Sequence, residues 1–156
     1  METVEKIVLQ LHSLGGIKFG IFKLKSGHVS PIYFDLRVMV QEPGLMESIA
    51  SCMWEAFNRS KCSTDVICGV PYTALPLATL ISCKTNIPMM IMRKEKKEYG
   101  TMKRIEGLEG KDGKDCLIIE DVITSGGLSR LHIELDFIWL IISQLFQVAS
   151  SRLLKS

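Results

Sequence analysis

The amino-acid sequence predicts an α/β fold, with a parallel sheet flanked by helices and a small antiparallel unit, the hood, before it. Three apolar segments, at residues 66–68, 87–92 and 116–119, have the length of strands that are buried on both faces. A glycine turn and a helical pattern follow the first segment, as in the first half of a βαβ unit. Open α/β sheets bind their ligands at the carboxyl edge of the strands, so this edge is the predicted site.

The composition is that of one folded domain with a sizeable core. The chain has 156 residues, of which 47% are apolar, and these values exclude a disordered chain. A net charge of +2 argues against a general nucleic-acid binder. The start is acidic and lacks an apolar segment, so we expect no signal peptide. Five scattered cysteines without a Cys-x-x-Cys pair indicate reduced thiols and a cytoplasmic protein, and the three separated histidines predict no metal site.

A helix and two short strands are predicted for the hood, which we expect to span about residues 1–40. Apolar residues recur at helical spacing in residues 4–11, and a glycine pair ends this helix. Apolar and lysine residues alternate at 22–25, which is typical of a strand, and a second strand is predicted at 32–36. Gly27 lies between the two predicted strands, and this arrangement indicates a hairpin-like unit.

A packing helix and a strand-turn-helix unit are predicted next. Pro43 opens a helical pattern that ends near Asn58. The strand at residues 66–68 leads into a Gly-Val-Pro-Tyr-Thr turn, and a helix is predicted over about 74–83.

The segment 93–104 is strongly basic. It contains six basic and two acidic residues and directly follows the apolar run that ends at Met92. One interpretation is a solvated surface loop, or a helix with paired charges. The other is a functional loop, because the segment begins at the same sheet edge as the acids described next. Glycines at 107, 110 and 113 predict a flexible return to the strand at 116.

The segment 116–127 predicts a phosphate-sugar site. Glu120 and Asp121 follow the apolar run directly, and the small residues of 124–127 allow a tight turn. Such a turn aims several backbone N–H groups at one point and can bind a phosphate. The adjacent carboxylates can accept hydrogen bonds from sugar hydroxyls. A ribose 5-phosphate is therefore the simplest ligand for this combination, whereas an ordinary buried strand would not need two acids at its end.

The same segment resembles the signature that binds phosphoribosyl diphosphate (PRPP) in type I phosphoribosyltransferases. Two further motifs resemble orotate phosphoribosyltransferases of that family. The first is Phe-x-Leu-Lys-Ser-Gly at 22–27 with Ser-Pro-x-Tyr-x-Asp at 30–35, and the second is Arg-Lys-x-x-Lys-x-Tyr-Gly at 93–100. The resemblance extends in order over roughly residues 14–127.

The resemblance implies an enzyme that converts orotate and PRPP to orotidine 5′-monophosphate and diphosphate, a step of pyrimidine (UMP) synthesis. It implies catalytic roles for Lys97, as proton donor, and for Asp121, which supports the ribose. It also implies Mg²⁺, held mainly through PRPP, and a homodimer, because the mobile loop of the family serves the partner subunit's site. The implied PRPP-binding residues are Lys25, Tyr72, Thr73, Arg93, Lys94, Lys97, Tyr99, Glu120, Asp121, Thr124, Ser125, Gly126 and Gly127. The implied orotate-binding residues are Tyr33, Phe34 and Thr124.

Three positions depart from the family's usual pattern. Tyr99 stands where histidine is commoner, and a phenol does not titrate near neutral pH, so Lys97 is the better proton donor. Thr73 stands where many relatives have lysine, which removes one charge near the diphosphate. Leu128 stands where a small polar residue is usual.

The resemblance ends after Gly127. We therefore expect a transferase-like domain over 1–127, with its core at about 41–127, and a divergent tail over 128–156. Apolar residues of the tail recur at helical spacing, and its apolar stretch is too short to span a bilayer, so we expect a helix packed on a shortened sheet. The arginine that clamps orotate in the family is missing, so the alternative is a truncated isoform that binds PRPP without turnover. A nucleic-acid-binding module that uses the basic loop is a second alternative.

Overall fold

The computed structural model describes residues 4–23, 27, 29–93, 105–107 and 113–121. These residues fall into two compact units, one up to Ile49 and one from Ala50 onward. Helix α2, Pro43–Arg59, begins in the first unit and ends in the second. Within the described ranges, no helix combines the length and the apolar character that a membrane crossing requires.

The first unit contains a helix, a two-stranded sheet and a short 3₁₀ helix. Helix α1, Val4–Ser13, has Ile7, Val8 and Leu11 on its buried face. Strands β1, Ile17–Lys23, and β2, Val29–Phe34, pair antiparallel. A helix and a hairpin are present, as the sequence predicts for the hood, but the strand positions differ. Strand β1 begins at Ile17, five residues before the strand predicted at 22–25, and β2 begins at Val29, three residues before the strand predicted at 32–36.

The strand predicted at residues 32–36 is partly wrong, because β2 ends at Phe34 and a 3₁₀ helix follows at Leu36–Gln41. Asp35, the residue between the two elements, favours the change of structure. Its carboxylate accepts a hydrogen bond from the backbone N–H of Arg37 at 3.1 Å and so caps the first turn of this helix.

The second unit contains a four-stranded sheet in the order β5–β4–β3–β6. Strands β3 (Val66–Gly69), β4 (Met89–Met92) and β6 (Cys116–Ile119) are parallel, and β5 (Ile105–Glu106) is antiparallel to β4. The predicted α/β class is confirmed. The sequence analysis did not predict β5, whose two residues are too few to show a periodic pattern.

Helix α3, Ala74–Thr85, connects β3 to β4 and packs on one face of the sheet. Its buried residues Leu77, Ala78 and Ile81 cover the apolar side chains of the central strands. Gly69 permits this contact, because a Cβ atom at this position would lie 2.9 Å from Cδ2 of Leu75 and 3.1 Å from Cβ of Ala78. The opposite face of the sheet has its own apolar cluster, formed by Cys68, Met92 and Ile118 with Val70, Met90 and Cys116.

Candidate functional site

Three chain segments emerge at one edge of the sheet of the second unit. Because β3, β4 and β6 are parallel, the residues that follow them, 70–73, Arg93 and 120–121, all begin at the carboxyl edge. The backbone N–H of Val70 donates to the carbonyl of Ile119 at 3.1 Å, which joins the first and third segments. This is the edge at which open α/β sheets bind ligands.

The turn after β3 contains the predicted ligands Tyr72 and Thr73. Tyr72 is 74% exposed and Thr73 is 8% exposed, and the peptide bond between Pro71 and Tyr72 is cis. Helix α3 begins directly after Thr73, so its N-terminal N–H groups lie beside this turn. The positive end of a helix dipole at this edge favours a bound anion.

The acid pair, Glu120 and Asp121, directly follows the apolar strand β6. Glu120 and Asp121 are half-buried, and Ile119 before them is fully buried. Two other acids of this unit, Asp65 and Asp115, lie at the opposite edge, where the N–H of Asp65 donates to the carbonyl of Asp115 at 2.8 Å. Of these two described pairs, Glu120 and Asp121 are the pair at the carboxyl edge.

Arg93 follows β4 directly, at the same edge. Its Nε donates to Oε1 of Glu106 at 2.7 Å, and its Nη2 also donates to that oxygen. Glu106 belongs to none of the motifs that predict the site. The only signal was a single acid two residues after the basic segment, and its partner depends on the pairing of β5 with β4.

The predicted orotate-binding residues Tyr33 and Phe34 lie in β2, in the first unit. The centroid of the Tyr33 ring lies 5.5 Å from that of Phe22 on β1, so the two aromatic side chains contact each other across the two-stranded sheet. Both residues of the predicted pair are half-buried.

Several predicted site residues lie outside the described residues. They are Lys25, Lys94, Lys97, Tyr99, Thr124, Ser125, Gly126 and Gly127. The structure therefore brings together five of the predicted residues at one sheet edge: Tyr72, Thr73, Arg93, Glu120 and Asp121.

The donor set of this edge fits a magnesium ion that is held mainly by a phosphorylated ligand. Carboxylate oxygens of Glu120 and Asp121 are the hard donors that Mg²⁺ prefers. Among the described residues, no group of three His, Cys, Asp or Glu side chains forms a complete metal site. Mg²⁺ usually keeps several waters and binds through one or two carboxylates together with substrate phosphates, which agrees with this set.

Comparisons with known proteins agree with the geometry. The sequence pattern of the phosphoribosyl transferase domain matches residues 39–128. The chain is 47% identical to the uridine 5′-monophosphate synthase of Bos taurus over 120 residues, which is 77% of this chain and 25% of that protein. It is 39% identical to the orotate phosphoribosyltransferase of Pyrococcus horikoshii over 127 residues, which is 81% of this chain and 68% of that protein.

The fold is similar to that of solved structures as well. It matches the UMP synthase of Leishmania donovani with a TM-score of 0.68 and 36% identity, over 83% of this chain and 27% of that one. The chain spans a quarter of the bovine synthase and about half, 51%, of the orotate phosphoribosyltransferase of Caenorhabditis elegans.

Proposed function

The chain belongs to the phosphoribosyltransferase family, and from this membership we propose that it transfers a phosphoribosyl group from PRPP to orotate. The observation that carries the proposal is the common edge of Tyr72, Arg93 and the acid pair. This edge offers cationic and helix-terminal groups to phosphates and carboxylates to a sugar. Those are the groups that a ribose with a 5-phosphate and a 1-diphosphate needs.

In the proposed reaction the base nitrogen of orotate loses its proton to solvent and attacks the anomeric carbon of PRPP. The bond from that carbon to the diphosphate oxygen breaks, and its electron pair leaves with the diphosphate. Positive charge develops on the ribose, and the carboxylates of Glu120 and Asp121 stabilise it while they accept hydrogen bonds from the ribose hydroxyls. Tyr33 and Phe34 provide aromatic surfaces for the flat orotate ring.

The leaving diphosphate gathers negative charge, which the basic side chains neutralise. We assign this role to Arg93 and Lys94, together with Lys97, which also donates a proton to a leaving oxygen. Lys25 and the turn of Tyr72 and Thr73 bind the same diphosphate, with Tyr99 beside them in the basic loop. Thr124, Ser125, Gly126 and Gly127 bind the 5′-phosphate through backbone N–H groups. Bound magnesium supplies additional charge neutralisation for the diphosphate.

The first test is a spectrophotometric orotate assay of the purified chain with PRPP and Mg²⁺, coupled with calorimetric PRPP binding. Orotate consumption that depends on both reagents supports the proposal. PRPP binding without turnover would support the truncated, inactive isoform instead, because the chain spans only part of its relatives. Absence of both would contradict the assignment of the site.

Lys97 provides a second test. We expect Lys97→Ala to lower kcat by about 100-fold, because general acid catalysis typically contributes that much or more. The KM for PRPP changes by less than about threefold, since Arg93 and Lys94 still bind the diphosphate. Lys96→Ala removes one charge from the same segment and is the matched control. Unchanged kcat in Lys97→Ala would exclude its catalytic role.

We further propose a homodimer in which the basic loop of one subunit completes the site of its partner. Lys97→Ala and Asp121→Asn, each inactive alone, are mixed and allowed to exchange subunits. Random exchange makes half of the dimers mixed, and each mixed dimer has one intact site, so about a quarter of the parent activity returns. If no activity returns although light scattering shows dimers, each loop serves its own subunit.

A further inference from the structure

We propose that Glu106 is a positioning residue, which holds the guanidinium of Arg93 in the orientation that binds the diphosphate of the substrate. The proposal rests on the function proposed above. Glu106 lies on β5, outside every motif that the sequence analysis assigned to the site. Its hydrogen-bonding partner is Arg93, so the role proposed for Glu106 is an action through Arg93 and not on the reacting atoms.

The contact between the two side chains is directional. Nε and Nη2 of Arg93 both donate to one oxygen of Glu106, Oε1, with a distance of 2.7 Å from Nε. Two donors on one side of a planar group fix the plane of the guanidinium and its rotation. Neither of these two bonds uses Nη1, so the contact with Glu106 leaves the donors on this side of the guanidinium to other acceptors, such as an anion.

The backbone fixes both partners at the base of the basic loop. Strands β4 and β5 pair antiparallel, with Met92 opposite Ile105 and Ile91 opposite Glu106. Gly107, the residue after Glu106, lets the chain lie close to the backbone of β4. Its φ is +106°, and a Cβ atom there would lie 2.9 Å from the carbonyl oxygen of Met89. The ion pair thus joins the first residue of segment 93–104 to the strand that follows this segment.

The partial exposure of the Arg93–Glu106 ion pair indicates that the pair contributes more to anion binding than to folding stability. The side chains are 31% exposed for Arg93 and 45% exposed for Glu106, and ion pairs so exposed contribute little to folding stability. Their effect on binding is larger, because a guanidinium that is already ordered loses less rotational freedom when an anion arrives. Removing Glu106 should therefore weaken anion binding and leave the fold unchanged.

A substitution by glutamine can distinguish a positioning role of Glu106 from a purely electrostatic one, because glutamine removes the charge and keeps one oxygen. Both hydrogen bonds end on one oxygen, so the carbonyl oxygen of a glutamine can accept the same two bonds. A positioning role predicts that Glu106→Gln behaves like the parent and Glu106→Ala does not. A role as a competing negative charge predicts that both variants bind anions more tightly than the parent.

The test measures binding of inorganic diphosphate to the full chain by calorimetry. We expect Glu106→Ala to bind about three- to tenfold more weakly than the parent, and Glu106→Gln to stay within about twofold. In an Arg93→Ala background, Glu106→Ala should have no further effect, because its action passes through Arg93. Glu5→Ala removes a carboxylate from the exposed part of α1 and is the matched control. Unchanged or tighter binding of diphosphate by Glu106→Ala overturns the proposal. The proposal also fails if Glu106→Ala still weakens diphosphate binding in the Arg93→Ala background.

A second measurement separates this proposal from the proposed function. The Nε–H signal of Arg93 in nitrogen-15 NMR spectra reports the hydrogen bond in the absence of ligand. A slowly exchanging signal in the parent and in Glu106→Gln, lost in Glu106→Ala, supports the positioning role. The same signal in all three overturns it. If the parent binds no diphosphate, the proposed function fails, and this NMR comparison still decides whether Glu106 orders Arg93.

Discussion

The five cysteines differ in their surroundings, and the structure ranks their reactivity. Cys62 and Cys83 are exposed, and Cys52 and Cys68 are buried. A hydrogen bond with Cys68, together with burial, raises the pKa of the Cys116 thiol above its ordinary value. Burial, with a smaller contribution from the charge of Glu55, raises the pKa of Cys52. Because thiolates are the reactive species, the raised pKa values protect Cys52 and Cys116. The hydrogen bond with Cys116 lowers the pKa of Cys68, so burial alone protects that thiol.

We expect Ellman's reagent at pH 8 to modify two thiols rapidly and the other three at least about tenfold more slowly. In denaturant all five should react. A variant with serine at positions 62 and 83 is the control and should lose the rapid phase. A third rapid thiol in the parent would contradict the protection either of Cys52 on α2 or of Cys68 and Cys116 in their apolar cluster.

The ion pair of Asp35 and Arg37 belongs to the first unit and is a second feature at the residue scale. Nε of Arg37 donates to Oδ1 of Asp35 at 2.6 Å, and Nη2 donates to Oδ2 at 2.7 Å. The side-chain hydrogen bond from Arg37 is the largest cause that lowers the pKa of this carboxyl from its ordinary value. A lowered folded-state pKa means stability that is present above the unfolded-state pKa and lost as the pH falls through the folded-state value.

We expect Asp35→Asn to reduce the free energy of unfolding at pH 7 by about 0.5 kcal/mol, because Arg37 is largely exposed and solvent screens the pair. Asparagine keeps an oxygen that can cap the helix, so the change removes the charge and the hydrogen bond to Oδ2 but retains the cap. The difference from the parent should begin to shrink near pH 4, where the carboxyl of the unfolded chain takes up a proton, and should vanish only below the lowered folded-state pKa. Urea denaturation at several pH values measures this, and a difference independent of pH would contradict it.

At the scale of elements, the packing of α3 on β3 depends on the missing side chain of Gly69. We expect Gly69→Ala to reduce the free energy of unfolding by about 1–3 kcal/mol, because the new Cβ would meet Leu75 and Ala78 at 2.9 and 3.1 Å. The control is Gly44→Ala in the first turn of α2, where a Cβ would meet nothing within 4 Å. This variant should be unchanged or more stable by up to about 1 kcal/mol. Equal stability of both variants would contradict the close approach of α3.

The sequence predicted the elements that have a local pattern and missed those that depend on distant partners. The parallel strands β3, β4 and β6 follow from short apolar runs, and α3 follows from the turn before it. Strand β5 has two exposed residues and exists because its backbone pairs with β4. The 3₁₀ helix at Leu36–Gln41 exists because Asp35 caps it, whereas the sequence pattern there favoured a longer strand.

At the scale of the whole molecule, a bound ligand should stabilise the folded chain. At 100 times its dissociation constant, PRPP with Mg²⁺ contributes about 2.7 kcal/mol, which corresponds to an increase in Tm of about 5–10 °C for a chain of this size. Chelation of Mg²⁺ should remove most of the increase. Asp121→Asn is the control variant and should shift less than the parent, because it lacks one carboxylate of the acid pair. An equal shift in both would contradict a ribose site at this sheet edge.

The sequence by itself determined the α/β class and the polar residues that follow each parallel strand. These properties are local, because a short apolar run and the turn after it are continuous in the chain. Only the tertiary structure decided the strand order β5–β4–β3–β6 and the partner of Arg93. Glu106 lies 13 residues from Arg93 in the chain, and backbone pairing of β5 with β4 brings the two together. Such pairing depends on hydrogen bonds between main-chain groups. Every residue except proline carries the same main-chain donor and acceptor, so the residue pattern does not show which strands will pair.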